Sequence, residues 1–140
     1  MTDTSIRRHT PTRTRTLGAR STLYSVLAGL TGLVVLFQGL WAGLFIHEGE
    51  GYQANWVAVH DWGARLSIVL ALVTVVLAVV KLRSRRDLII GSGVFLVLLM
   101  LESFLGGLIG DSPAVTAIHF PLAMGLTGLA VWLPFRSRHV

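Results

Sequence analysis

The chain has 140 residues, of which 53% are hydrophobic and only 14% are charged. Soluble globular chains carry about 25% charged residues, so the composition argues against a soluble domain. The absence of cysteine excludes disulfides, thiolate metal sites, iron–sulfur clusters and thiol–disulfide exchange. The net charge of +5 does not indicate nucleic acid as a partner, because the basic residues flank apolar segments and act there as a topology signal.

The chain begins with a polar stretch, residues 1–21, which is rich in Thr and Arg and which we expect to be a disordered cytoplasmic tail. Four apolar segments follow, each near or above the ~20 residues that cross a bilayer, at residues 22–46, 56–80, 88–109 and 113–135. Residues 136–140 form a second short tail. The links are too short for another domain, so the sequence predicts an all-α, integral membrane four-helix up-down bundle within the lipid bilayer.

The ends of two spans carry polar residues of the kind that cap helices. We expect Asp87 to cap the third helix. Asp111 and Ser112 precede Pro113, which predicts a cap followed by a proline in the first turn of the fourth helix.

The cations predict the orientation of the bundle. Every Lys and Arg except Arg65 lies in the N-terminal tail, in the link between the second and third spans, or in the C-terminal tail. The other two links carry Glu48, Glu50 and Asp111 instead. By the positive-inside rule, both termini are cytoplasmic and the protein is a multi-pass membrane protein.

Polar side chains inside the spans fall in the outer half, by a rise of ~1.5 Å per residue from the outer helix ends. They are Gln38, His60, Arg65, Glu102 and His119. The inner half contains Leu, Val and Ile with scattered Ser and Thr, whereas a proton path or ion channel needs polar groups through the full thickness. The pattern therefore indicates a site and not a conduit.

His60 and His119 lie at similar depth on the second and fourth helices, which are diagonal partners in such a bundle. Neighbouring backbone or side chains can satisfy both rings. Alternatively, two facing imidazoles can hold the iron of a b-type haem. Gly39 and Gly43 on the first helix, with Gly106 and Gly107 on the third, then leave room for the porphyrin, although Gly39-x-x-x-Gly43 is also a helix-packing pattern.

Three other groups have more than one interpretation. Arg65 can pair with Asp61, four residues earlier, or with Glu102, or bind a haem propionate to which Gln38 also donates. Glu102 can instead handle a proton. The loop that carries His47, Glu48 and Glu50 can bind a divalent cation or simply be solvated.

The layout resembles one half of the heme A synthase family, in which each half is a four-helix bundle built around a histidine pair. The matching residues are His60 in AVHDWGARL and His119 in TAIHFPLAM. The chain also resembles small uncharacterised four-span membrane proteins of high-GC bacteria. The synthase family has a glutamate one turn before the first histidine and an arginine directly after it, where this chain has Val57 and Asp61. The resemblance therefore implies haem binding and not the hydroxylation of a haem methyl group.

The sequence and the resemblance thus predict a multi-pass protein of a bacterial plasma membrane that binds haem b and acts in electron transfer or haem handling. The sequence leaves open whether the protein is an enzyme, although the departures from the synthase family favour a protein without enzymatic activity. One alternative is a non-enzymatic accessory or assembly subunit of a larger membrane complex, without a cofactor. Another is a small transporter or quinone-binding protein. A homodimer is also left open.

Overall fold

The computed structural model describes residues 13–47, 50–110 and 112–138, which form four helices and no strand. The helices are α1 (Arg13–His47), α2 (Glu50–Lys81), α3 (Arg86–Gly106) and α4 (Pro113–Arg138). The predicted all-α four-helix fold is therefore confirmed. The disorder predicted for residues 1–12 lies outside the described residues.

The first two helices begin before the predicted spans. α1 begins at Arg13, so residues 13–21 are helical although we expected them in the disordered tail. α2 begins at Glu50, six residues before the predicted span starts at Trp56. Nucleation is the costly step of helix formation, so a long apolar helix extends at low cost into flanking polar residues.

The helix ends confirm one predicted cap and correct the other. Ser112 caps α4, because its hydroxyl accepts a hydrogen bond from the Val115 N–H at 3.4 Å. The predicted cap at Asp87 is wrong: α3 follows Arg85 without a side-chain cap. Asp87 lies in the first turn, where its carboxylate accepts two 3.1 Å hydrogen bonds from Arg85. The Asp87 carboxylate therefore binds the guanidinium of Arg85, a stronger donor than the backbone N–H groups that a cap would bind.

α3 also ends earlier than predicted, at Gly106, and residues 107–110 form turns. Gly110 has a φ of 102°, in the left-handed region that favours glycine because it has no Cβ. This turn reverses the chain into α4.

The helices form a ring in which α1 and α3 each pack against α2 and α4. Within the described part of the chain no Cα atoms of the diagonal pairs, α1–α3 and α2–α4, approach within 8 Å, although the Tyr24 and Ser92 hydroxyls bridge α1 and α3 at 2.8 Å. We call the half with the α1–α2 and α3–α4 links the distal half, and the half with the α2–α3 link and the chain ends the terminal half. His60 on α2 and His119 on α4 therefore lie on diagonal helices.

Two glycines allow the helices of this ring to approach closely. A Cβ on Gly32 of α1 would lie 3.0 Å from the carbonyl oxygen of Ala130 in α4. A Cβ on Gly63 of α2 would overlap the Gln38 amide and the Trp41 ring of α1. Small residues at these points let two backbones meet, as is common between membrane helices.

The outer surface of the bundle is apolar. Trp62, Phe104 and Met124 are 69%, 65% and 77% exposed, whereas the buried seam includes small residues such as Ala71 and Ala78. All four helices are long and apolar enough to cross a membrane. An exposed apolar surface of this extent is foreign to soluble monomers. The chain is therefore a multi-pass membrane protein whose outer side chains meet lipid.

Candidate functional site: a polar layer in the distal half

Each of the four helices contributes one polar side chain to a layer in the distal half. We call this set the polar layer: Gln38 from α1, His60 from α2, Glu102 from α3 and His119 from α4. The residues meet in two neighbouring pairs: the His60 ring contacts the backbone carbonyl of Gln38, and the side chains of Glu102 and His119 lie together.

On the α1–α2 side, His60 binds the backbone of α1. Its Nδ1 lies 3.2 Å from the carbonyl oxygen of Gln38. A carbonyl only accepts, so Nδ1 must donate, and in the neutral ring Nε2 then carries the lone pair. The Phe45 ring stands edge-on to the imidazole, with 5.5 Å between centroids. The close approach of α1 and α2 at Gly63 brings the two helices near enough for these contacts.

On the α3–α4 side, His119 lies beside Glu102. The His119 Nδ1 and a Glu102 carboxylate oxygen are 3.1 Å apart, and both side chains are almost fully buried, at 11% and 13% exposure. The distance is that of an ion pair, but neither atom makes a hydrogen bond of good geometry. Gly106 leaves space for the ring, since a Cβ there would lie 3.3 Å from the His119 Cε1.

The polar layer leaves buried polar atoms without partners. Among the described residues, five buried side-chain atoms have no hydrogen-bond partner, and all five belong to this layer. They are both amide atoms of Gln38, both carboxylate oxygens of Glu102 and the Nδ1 of His119. A buried unpaired polar group costs about 1–3 kcal/mol, and more when charged. The layer therefore contains more buried polar atoms than its own contacts can hydrogen bond.

Arg65 lies apart from this layer. Its guanidinium pairs with Asp61 at 2.8 Å, as the four-residue spacing indicated, and both side chains are more than half exposed. The guanidinium also lies 5.4 Å from the centre of the Trp62 ring. No ion pair joins it to Glu102 in the described part of the chain.

The four glycines that the sequence singled out lie in different surroundings. Gly106 contacts the His119 ring, as above. A Cβ on Gly39 or Gly43 would have no atom within 4 Å, so these two glycines make no packing contact with the described residues. Gly107 follows the last residue of α3, and a Cβ there would meet only carbonyls of its own turn.

The predicted cation loop has side chains outside the described residues, at His47, Glu48 and Glu50. Within the described part of the chain, no three His, Cys, Asp or Glu side chains come together as a metal site. A site with two histidine ligands is not tested by this finding.

A second group of polar residues, in the terminal half, was missed by the sequence reasoning. The Tyr24 and Ser92 hydroxyls are 2.8 Å apart, and the hydroxyls of Ser25 and Ser137 bond to each other. All four residues are buried. We call this set the hydroxyl network. The adjacent residues Tyr24 and Ser25 were the one sequence feature that could have indicated this network. Single Ser and Thr residues are too common in membrane helices to predict such a contact.

The hydroxyl network lies next to an ion cluster at the membrane surface. Asp87 accepts from Arg85 and pairs with Arg136 at 2.8 Å. Arg85 also donates to the carbonyl of Arg136 at 3.0 Å, which ties the α2–α3 link to α4. The hydrogen bonds to Asp87 raise the pKa of the Arg85 guanidinium above its ordinary value, so Arg85 stays charged.

Comparison of the chain with family models, with curated proteins and with solved structures gave no match.

Proposed function

We propose that the protein binds one b-type haem in the polar layer, with His60 and His119 as axial ligands, and acts in electron transfer or haem handling. The observation that carries this proposal is the set of five buried unpaired atoms in a single layer to which every helix contributes. Buried polar atoms are ordinarily paired, so an exception calls for an explanation such as a missing ligand.

The donor set fits a haem. Two histidines on diagonal helices can approach one iron from opposite sides, which is a known form of haem ligation. The His60 Nδ1 is bound by a backbone carbonyl, the partner that typically leaves Nε2 for a metal. The His119 Nδ1 lies beside a carboxylate, the other common partner of a metal-binding imidazole. Neither Nε2 has a hydrogen-bond partner among the described residues.

The remaining residues of the layer have distinct roles in this proposal. Gln38 has two unpaired amide atoms and is the better placed donor to a propionate. Arg65 is a weaker candidate for that contact, because a propionate would compete with Asp61. Glu102 orients the His119 ring, and Gly106 leaves the space in which the ring sits. A bound haem would supply reversible one-electron exchange at its iron.

The proposal includes the orientation of the protein. Lys81, Arg83, Arg86 and Arg138 are exposed in the terminal half. Excess basic residues favour the cytoplasmic side, so the termini face the cytoplasm and the polar layer lies towards the outer face of a bacterial plasma membrane.

Absorbance of the purified protein tests the haem. Protein from haem-replete cells should show a Soret band and about one haem per chain, and His60→Ala or His119→Ala should abolish the low-spin spectrum. Ser67→Ala is the matched control, because Ser67 is buried on α2 and donates only within its own helix, to Gly63 at 2.9 Å. Circular dichroism checks that each variant keeps its helices.

Absence of a Soret band, or a band unchanged in the double histidine variant, rejects the proposal. A colourless preparation that co-purifies with a defined membrane complex would favour the accessory-subunit alternative. A colourless preparation that retains an extractable quinone would favour the quinone-binding alternative.

A further inference from the structure

An apolar groove runs between α1 and α4 in the terminal half, away from the polar layer. Its volume is about 210 Å³. Its walls include Gly29, Leu33 and Leu36 on α1 and Val131, Pro134 and Phe135 on α4, and no polar side chain of a described residue lines it. All these residues lie within membrane-spanning segments, so lipid chains are the molecules that reach the groove.

Glycine on α1 creates the space. α1 and α4 touch where Gly32 meets Ala130, which forms the floor of the groove. Three residues earlier, a Cβ on Gly29 would have no atom within 4 Å. The helices therefore meet at Gly32 and leave an unfilled space beside Gly29.

A basic side chain, Arg138, lies between the groove and the membrane surface on the same face of α4. Val131, Pro134 and Arg138 share one face of α4, because their spacings are three, four and seven residues. The Arg138 side chain is exposed and forms no ion pair with a described residue. Arg136, by contrast, is held by Asp87 at 2.8 Å. The groove therefore ends near a positive charge that no described residue pairs with.

We propose that this groove binds one acyl chain of an anionic phospholipid whose phosphate contacts Arg138. The apolar walls match the chain and the arginine matches the headgroup. Basic residues beside grooves between membrane helices recognise anionic headgroups in this way. The proposal does not depend on haem binding.

Native mass spectrometry of the detergent-solubilised chain tests it, with phosphatidylglycerol and phosphatidylcholine of identical acyl chains as probes. The wild-type chain should retain more phosphatidylglycerol than phosphatidylcholine. Gly29→Leu should fill the groove and reduce retention of both lipids to background. Its matched control is Gly125→Leu, on α4 outside the groove, where a Cβ also has no atom within 4 Å.

The headgroup contact is tested separately. Arg138→Gln should lower the preference for phosphatidylglycerol about fivefold, the typical effect of one basic residue near an anionic surface. Arg83→Gln, which removes another exposed cation of the terminal half, should leave the preference unchanged. Arg138 is exposed, so this variant folds and decides the proposal even if Gly29→Leu does not.

Four outcomes overturn the proposal. Arg138→Gln could keep the wild-type preference for phosphatidylglycerol. The wild-type chain could retain both lipids equally. Gly29→Leu could retain phosphatidylglycerol as the wild-type chain does. A wild-type dimer that Gly29→Leu alone converts to monomers would mean that a second copy of the chain, and not lipid, covers the groove.

Discussion

The two polar regions of the bundle differ in whether their groups are paired. In the hydroxyl network, Tyr24 bonds Ser92, and Ser25 bonds Ser137, so each hydroxyl meets another. In the polar layer, larger and more strongly polar groups are buried, and five of their atoms make no hydrogen bond, although the His119 Nδ1 and a Glu102 carboxylate oxygen lie 3.1 Å apart. Paired polar groups hold helices together, whereas unpaired ones cost stability and are retained where they serve another purpose. The comparison separates a structural region from a candidate binding region.

The largest expected effect follows from the packing that supports the polar layer. Gly63→Ala should lower the free energy of unfolding by about 3 kcal/mol, the upper part of the range for overpacking, because the new methyl overlaps Gln38 and Trp41. Thermal unfolding in detergent measures this. Gly39→Ala is the control, since a methyl there meets no atom within 4 Å. Equal melting temperatures for the two variants would contradict the close approach of α1 and α2.

The sharpest test of the comparison is Gln38→Leu. It removes two buried unpaired atoms but keeps the His60 bond, which goes to the backbone carbonyl. Without a ligand the variant should be more stable than the wild-type chain, by about 1–3 kcal/mol. Denaturant titration of the ligand-free protein measures the difference. A destabilised variant would show that the Gln38 side chain is paired in the folded protein.

The hydroxyl network should respond in the opposite direction. Tyr24→Phe keeps the ring and removes only the hydroxyl that bonds Ser92, so it should cost about 1 kcal/mol. The same denaturant titration applies, and Gln38→Leu on the same helix is the natural counterpart. If Tyr24→Phe stabilised the chain as Gln38→Leu is expected to, the distinction between the two regions would collapse.

The smallest effect is expected at the ion cluster. Asp87→Asn should cost less than about 1 kcal/mol, because its partners Arg85 and Arg136 are partly exposed and water screens them. The loss should shrink further at high salt. Melting temperatures at low and high ionic strength measure this, and a large, salt-independent loss would mean that the cluster is more deeply buried.

Much of the fold could be predicted because its signals are local. Four apolar runs of spanning length fix the number of helices, and Ser112 followed by Pro113 fixes the start of α4. The start of α1 was missed because the local signal is mixed: Arg favours a helix in residues 13–21, whereas Thr and Gly disfavour one. The predicted cap at Asp87 was wrong because the Asp87 carboxylate binds Arg85, two residues earlier.

The polar layer could be predicted in part. Chain topology and the helical rise placed Gln38, His60, Glu102 and His119 at one depth. Their partners could not be derived, because these depend on how each helix is rotated and how closely it packs. Arg65, at nearly the same depth, is turned away to Asp61 and Trp62. Gly63 determines the α1–α2 contact, yet nothing in the sequence distinguishes it from the other glycines.

The unequal helix lengths have a consequence for the surrounding bilayer. α3 has 21 residues and so is about 32 Å long at ~1.5 Å per residue, close to the ~30 Å of a typical hydrocarbon core. α1 has 35 residues and extends well beyond that thickness. The length of α3, the shortest helix, therefore determines which hydrocarbon thickness the protein matches. A thicker membrane would have to thin around α3, which disfavours such membranes and sorts the protein into those of ordinary thickness.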